Sequence, residues 1–313
     1  MLGGTGDDTL NVNFYGYYGT YTDGDSRAAT TYVLDGGDDN DRLTVSGYSS
    51  TYSGQTTLTL RGGAGNDSLT VTDGSAGDTG NSGQNHGISQ ASLDGGAGDD
   101  TLTASGVLNL SLTGGAGVDS FVLTAQQYRT LLEGTRNFPD SNYNYTSVSA
   151  DPVLITDFAA GASGDVLDYS DLLRNAALSY DGTNPFGTGF LKLEQFGADT
   201  LLSFDADGSA GTASGLVVVA RFQNVAVSSL VAANFTPNFE LRTGNTPAPV
   251  STSLDFYTQT TTTLGDVALQ FSTASENYTW VYSAYTHRVG FTRPESLLEL
   301  GAYDYTTTSV GLP

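Results

Sequence analysis

Five times the chain spells Gly-Gly-x-Gly-x-Asp-x-Leu-x or a close variant, from Gly3, Gly36, Gly62, Gly95 and Gly114, and nothing else constrains its fold as strongly. The fullest copy is Gly95-Gly96-Ala97-Gly98-Asp99-Asp100-Thr101-Leu102-Thr103. Glycine permits positive φ, so the main chain can curl with its carbonyls inward. The sixth-position Asp adds a hard, charged oxygen, and the eighth residue is apolar because it enters a core. That eighth residue is Leu10, Leu43, Leu69, Leu102 or Phe121, and a second Leu stands two places before the first glycine at Leu34, Leu60, Leu93 and Leu112. A flexible Gly-rich linker has no reason to keep both registers. Stacked coils, each joining a calcium half-site to a short strand, require them.

In these residues the stretch from 1 to about 125 resembles the "repeats in toxin" (RTX) family of secreted bacterial proteins. The resemblance implies a parallel β-roll wound around calcium. Its ions would lie between Gly-rich loops of successive turns, held by main-chain carbonyls and by Asp8, Asp41, Asp67, Asp100 and Asp119. Asp7, Asn40, Asn66 and Asp99 stand at the fifth position and offer further side-chain oxygens, whereas Val118 offers none and Asp39 replaces the third glycine of its copy. The ion between the third and fourth loops is therefore expected to be held best, and the one at the fifth loop least well.

The first glycines lie 33, 26, 33 and 19 residues apart. Tandem copies would put calcium loops on both edges of the roll; this spacing predicts one calcium-bearing edge and one variable edge. The shortest interval reads as strand Thr101–Ala104, a turn at Ser105-Gly106 and strand Leu108–Leu112, both with period-two alternation. Longer intervals carry insertions, Tyr15 to Ala28 and Ser75 to Gln90, rich in Tyr, Thr, Ser, Gly and Asn. Such loops are where repeat proteins often bind.

Eleven basic against 34 acidic residues give a net charge of −23, which makes nucleic acid an unsuitable partner. Self-repulsion of that size disfavours a compact state unless cations neutralise it. Near millimolar calcium and a Kd of about 10⁻⁴ M each site adds roughly 1.4 kcal/mol, so four sites add roughly 6, comparable with a domain's net stability. The chain is therefore expected to be largely unfolded where calcium is scarce and folded outside the cell. With no cysteine there is no disulfide, no CxxC zinc site and no thiol nucleophile. The longest apolar run, Leu216 to Ala220, is far too short to span a bilayer, and no N-terminal basic-then-apolar stretch is present, so a soluble chain is expected.

From Asp151 the texture changes to Val153-Leu154-Ile155-Thr156-Asp157-Phe158 and then Gly164-Asp165-Val166-Leu167-Asp168-Tyr169-Ser170-Asp171-Leu172-Leu173. This predicts a strand, a turn and a short helix with Ser170 as N-cap and Asp171 at its positive end. Strands Phe190 to Glu194, Thr200 to Phe204 and Leu216 to Phe222 follow, then a short helix near Ser228 to Ala233. Ile-x-Asp-Phe, the Gly-Asp-x-x-Asp-x-Ser-Asp-Leu-Leu run and Thr200-Leu201-Leu202-Ser203-Phe204-Asp205-Ala206-Asp207-Gly208 resemble the C-terminal target region of RTX proteins exported by type I secretion. That resemblance covers about 151 to 236 and implies export, unfolded, through a Gram-negative envelope. Asp205 and Asp207 also suggest an EF-hand, but the loop would start at Ser203 and end at Ser214, without the bidentate Glu. They stand either as an acidic turn or as an extra, non-EF calcium site, and Asp165 and Asp168 pose the same alternative.

The expected organisation is thus all-β: a parallel β-roll, or β-solenoid, over 1–125 with calcium loops on one edge, a connecting loop over 126–150, and a β-rich cap module with short helices over 151–240. Residues 241–313 form a linker at Thr243 to Ser253 and a small β domain or partly ordered tail, with strands at Leu254–Tyr257, Val267–Ser272 and Tyr278–Tyr285. Tyr278, Trp280 and Tyr282 share one strand face, either as an aromatic core or as a glycan-stacking platform.

No His-Glu-x-x-His, Gly-x-Ser-x-Gly or Walker loop is present, and His86 and His287 are the only histidines. No catalysis is expected of the chain itself. The function expected is that of a secreted calcium-binding RTX protein that folds outside the cell when it meets calcium, in a structural, surface-layer or adhesin-type role. The alternative is the C-terminal secretion and folding module of a larger toxin, protease or lipase. Either places it outside or on the surface of a Gram-negative bacterium. The partners expected are calcium ions, the type I apparatus during export, and cell-surface glycans or like subunits.

Overall fold

A computed structural model of the chain describes residues 1–15, 29–48, 55–74, 88–139 and 145–241, with further strands at 267–272, 277–283, 288–293 and 296–298. Met1–Leu241 forms one compact unit and Arg242–Pro313 a second.

The alternation of apolar and hydroxyl residues builds the roll directly. Strands β1 (Leu2–Thr5), β2 (Thr9–Tyr15), β3 (Thr30–Asp38), β4 (Arg42–Tyr48), β5 (Thr56–Ala64), β6 (Ser68–Asp73), β7 (Ile88–Ala97), β8 (Thr101–Ser105), β9 (Asn109–Ala116) and β10 (Ser120–Leu123) wind as successive half-turns. Odd-numbered strands pair in parallel in one sheet and even-numbered strands in the other. Register is strict because a slip of one residue would turn every apolar side chain outward. Leu10, Leu43, Leu69, Leu102 and Phe121 form one inward row, and Leu34, Leu60, Leu93 and Leu112 form the row of the other sheet. All nine are at most 5% exposed, and burying each is worth about 1.5–3 kcal/mol.

The odd strands run on through Gly-Gly of each repeat and turn only at its fourth to sixth residues. Gly63 shows why the second position must be glycine: its φ is +117°, and a Cβ there would overlap the Gly37 carbonyl of the coil below. The return from β8 to β9 buries Val107 and Leu108, and β9 begins at Asn109, one residue later than expected. Of the expected insertions, Tyr15 ends β2 and Ile88 to Gln90 open β7; the remainder, with His86, lies outside the described residues.

Residues 126–150 are not a plain connecting loop. Helix α1 (Ala125–Glu133) is capped by Thr124, whose hydroxyl accepts the Gln127 amide at 3.0 Å, and an antiparallel hairpin of β11 (Thr135–Pro139) and β12 (Tyr145–Ser149) follows. Gln127 ties this helix to the return between β8 and β9. Its side chain accepts from Val107 N at 3.1 Å and donates to Val107 O at 2.6 Å, standing in for a strand neighbour.

The segment from 151 extends both sheets of the roll. β13 (Val153–Ile155) pairs in parallel with β9, and β14 (Val166–Asp168) with β10. Beyond them come α2 (Ser170–Asn175), α3 (Pro185–Thr188), β15 (Leu191–Phe196), β16 (Asp199–Phe204), β17 (Val217–Phe222) and β18 (Phe235–Thr236). The resulting sheets have nine strands, β1-β3-β5-β7-β9-β13-β17-β16-β15, and seven, β18-β14-β10-β8-β6-β4-β2. The leucine rows give way here to rings: Phe158 packs on Phe121 and Phe222 with centroids 5.8 and 4.8 Å apart.

Two local expectations are corrected. Ser170 is the first helical residue and Tyr169 the N-cap, because Asp168 Oδ1 already takes the Ser170 amide at 2.8 Å. The helix expected near Ser228 is two 3-10 turns, Val227–Ser229 and Ala232–Asn234. Among the described residues no helix is long and apolar enough to cross a membrane.

In the second unit, β19 (Val267–Ser272), β20 (Asn277–Ser283), β21 (Arg288–Arg293) and β22 (Ser296–Leu298) form an antiparallel sheet in that order. Tyr278, Trp280 and Tyr282 occupy alternate positions of β20. The expected linker, the Leu254–Tyr257 strand and His287 lie outside the described residues.

Candidate metal centre

The turns between odd and even strands stack along one edge and are joined by two ladders of side chain to main chain hydrogen bonds. In the inner ladder the sixth-position amide of each coil donates to the sixth-position carboxylate of the next. Asp8 N reaches Asp41 Oδ1 at 2.7 Å, Asp41 N reaches Asp67 at 2.7 Å, Asp67 N reaches Asp100 at 2.7 Å, and Asp100 N reaches Asp119 at 2.9 Å. In the outer ladder the sense is opposite. The amides of Asn40, Asn66, Asp99 and Val118 donate to the fifth-position oxygens of Asp7, Asn40, Asn66 and Asp99, at 2.7–3.0 Å.

The fifth-position oxygens thus serve the main chain at the rim. Val118 takes part through its amide, so its missing side-chain oxygen leaves the inner ladder untouched. Asp39 adopts φ +77° in the place of glycine, and its Oδ2 accepts the Gly6 amide at 3.0 Å.

The inner ladder leaves half of each carboxylate unused. Oδ2 of Asp8, Asp41, Asp67, Asp100 and Asp119 is buried with no hydrogen-bond partner. An orphaned buried carboxylate oxygen is costly unless something positive meets it. Its surroundings are specific: a Cβ built on first-position Gly62 would run into both Asp67 Oδ2 and Gly95 O, and Gly36 and Gly95 repeat the arrangement with Asp41 and Gly62 O, and with Asp100 and Gly114 O. Gly3 does so with Asp8 and Gly36 O. Glycine therefore leaves a cradle at each of these four junctions, where one carboxylate oxygen and one main-chain carbonyl of the next coil converge. Among the described residues no three acidic, His or Cys side chains gather to hold a metal, so any ion here relies on carbonyls as well. Such an all-oxygen set suits calcium rather than zinc or copper.

Burial, only partly offset by the amide bonds, raises the carboxyl pKa of Asp67, brings Asp100 up to about 7 and Asp119 up to about 6; neighbouring carboxylates add to the rise.

Asp165, posed above as either an acidic turn or an extra calcium site, and Asp157, which the sequence reading did not single out, complete the edge. Asp165 acts as a sixth rung, its Oδ1 accepting Asp119 N at 2.9 Å and its Oδ2 accepting Ala159 N at 2.7 Å. Asp157 sits where a sixth coil would place its first glycine, and its carboxylate accepts Gly114 N at 2.9 Å and Gly115 N at 2.8 Å. Asp205 and Asp207 lie together on the turn after β16. Asp207 accepts the amides of Ala213, at 2.7 Å, and Ser214, at 3.2 Å, which hold its carboxyl below the usual range. Asp205 accepts the Asp207 amide at 3.2 Å. These bonds close the loop of the turn.

No family model and no curated protein sequence matches the chain. Among solved structures, the AlgE6R3 subunit of the Azotobacter vinelandii mannuronan C5-epimerase is similar over 67% of this chain and 78% of its own, at 20% identity and a TM-score of 0.29. At that score neither fold nor activity transfers.

Proposed function

We propose that this chain is a calcium-binding β-roll of an exported bacterial protein, not itself catalytic, that folds on reaching calcium outside the cell and serves as a structural or adhesive scaffold. The observation that carries the reading is the row of buried Oδ2 atoms at Asp8, Asp41, Asp67, Asp100 and Asp119, with a main-chain carbonyl beside each of the first four. Those four carboxylates and the carbonyls of Gly36, Gly62, Gly95 and Gly114 would hold the ions. Bound calcium supplies positive charge to a chain whose net charge is −23. The export part of the proposal rests on the Ile155-x-Asp157-Phe158 and Thr200 to Gly208 motifs.

Circular dichroism of the full chain during a calcium titration tests it, with Asp67→Ala and Asp100→Ala as controls. A cooperative gain of β signal with a midpoint on the order of 10⁻⁴ M, shifted upward in both variants, is expected. A chain fully folded in chelator and indifferent to calcium would refute it.

A further inference from the structure

The junctions inside the roll join unlike faces. On its C-terminal side each coil offers its sixth-position amide as donor, its fifth-position side-chain oxygen as acceptor and the orphaned Oδ2 of its Asp. The N-terminal side of the next coil answers with Asp Oδ1, with the fifth-position amide and with the carbonyl of its first glycine. Coil 1 carries a face of this second kind, and among the described residues nothing answers it. Asp8 Oδ1 holds the place of Asp41 Oδ1 without an amide donating to it, and the Asp7 amide holds the place of the Asn40 amide without an acceptor. Gly3, in register with Gly36, brings the carbonyl of a further cradle whose carboxylate would come from a coil before it.

The second-position glycines repeat the contrast. A Cβ on Gly37, Gly63, Gly96 or Gly115 would overlap the carbonyl of the preceding coil, whereas one on Gly4, in the same register and at φ +118°, meets nothing within 4 Å. β1 and β2 are edge strands of the two sheets, and an open edge is a template for further pairing. This edge specifies its occupant more closely than strand pairing alone. The occupant must bring, on one turn, an amide for Asp8 Oδ1, an oxygen for the Asp7 amide and a carboxylate to share a cation with Gly3 O. A second copy of the roll cannot do so, because the C-terminal side of its fifth coil already holds β13, β14, Asp157 and Asp165.

We propose that the N-terminal face of coil 1 is a docking surface for one further Gly-Gly-x-Gly-x-Asp coil, which seats with its C-terminal side and closes a fifth cradle on a calcium ion. The hydrogen-bonded part of this surface stands on geometry alone, and the ion in the cradle rests on the calcium reading above.

The test places residues 90–112, one complete coil and the start of the next strand, directly before Leu2 of the full chain. Leu2 shares its register with Asp35, Arg61, Asp94 and Thr113, so Leu112 leads into it without a slip. In calorimetric titration the fused chain should bind one calcium ion more than the native chain, and in calcium it should melt about 2–4 °C higher. Hydrogen exchange at the Asp7 amide should slow about tenfold or more. Asp100→Ala in the added copy alone should remove the extra ion. Gly4→Ala carries the same backbone strain in both chains, but it should lower the melting temperature further in the fused one, where its Cβ meets a carbonyl. Unchanged exchange at Asp7, an equal effect of Gly4→Ala in the two chains, or a native chain that dimerises with Asp7 protected would each overturn the proposal. If neither chain bound calcium the ion reading would fall, and Asp7 exchange with the Gly4 comparison would still decide the docking.

Discussion

The two oxygens of Asp67 do different work. Oδ1 takes the Asp41 amide at 2.7 Å, while Oδ2 lies buried without a hydrogen. Asp67→Asn separates the two roles, since the amide oxygen can keep the rung while an NH2 group replaces the orphaned oxygen. One junction should then lose calcium, and with it about 1.4 kcal/mol of stabilisation near millimolar calcium. In chelator the variant should melt at or above the native temperature, because a buried charge has gone. Calorimetric titration and paired thermal melts measure both effects; unchanged calcium stoichiometry would remove Asp67 from the site. The sixth-position aspartates were legible in the sequence because a backbone turn, an acid and an apolar residue recur in fixed order around each. What the sequence hid was the division of labour within the carboxylate, which depends on the neighbouring coil.

Among elements, the join between β9 and β13 is the most exposed to test. Asp157 accepts the amides of Gly114 and Gly115, so Asp157→Ala strips two main-chain donors of their acceptor. A loss of about 1–3 kcal/mol per unmet buried donor sets the scale, less where water reaches them. The variant should melt earlier in calcium, and limited proteolysis with mass spectrometry should find cleavage within 151–241 accelerated relative to the roll. The roll strands were readable from period-two alternation. Helix α1 was not, because its buried Gln127 and Thr130 interrupt the apolar pattern, and Gln127 bonds to Val107 on a distant turn. Asp165-Val166-Leu167 does repeat the Asp-x-apolar signature of Asp119-Ser120-Phe121. It was obscured because the first-glycine place belongs to Asp157 and extra residues intervene.

Across the whole molecule, the buried carboxyls set a pH dependence. Unfolded Asp titrates near about 3.9, whereas burial lifts Asp119 to about 6 and Asp100 to about 7 in the folded chain. Without calcium the folded state therefore binds more protons than the unfolded state. This contribution to stability is fully present below about pH 4 and is lost as pH rises through about 6 to 7. The melting temperature of the chelated chain should climb as pH falls from about 8 to about 5. With saturating calcium the trend should flatten or reverse, because protons and the ion compete for the same oxygens; identical profiles with and without calcium would contradict that competition.

Joined coils are 33, 26, 33 and 19 residues apart, yet every rung closes at nearly the same length. The difference falls chiefly in the sequence between the even strand of one coil and the odd strand of the next, after Tyr15, Tyr48, Asp73 and Ser105. The seam that fastens the roll is thus mechanically separate from the side that can grow, and foreign sequence spliced into a return bend should leave the fastening intact. The molecule is built like a rack: its pegs can be changed one at a time without loosening the rail.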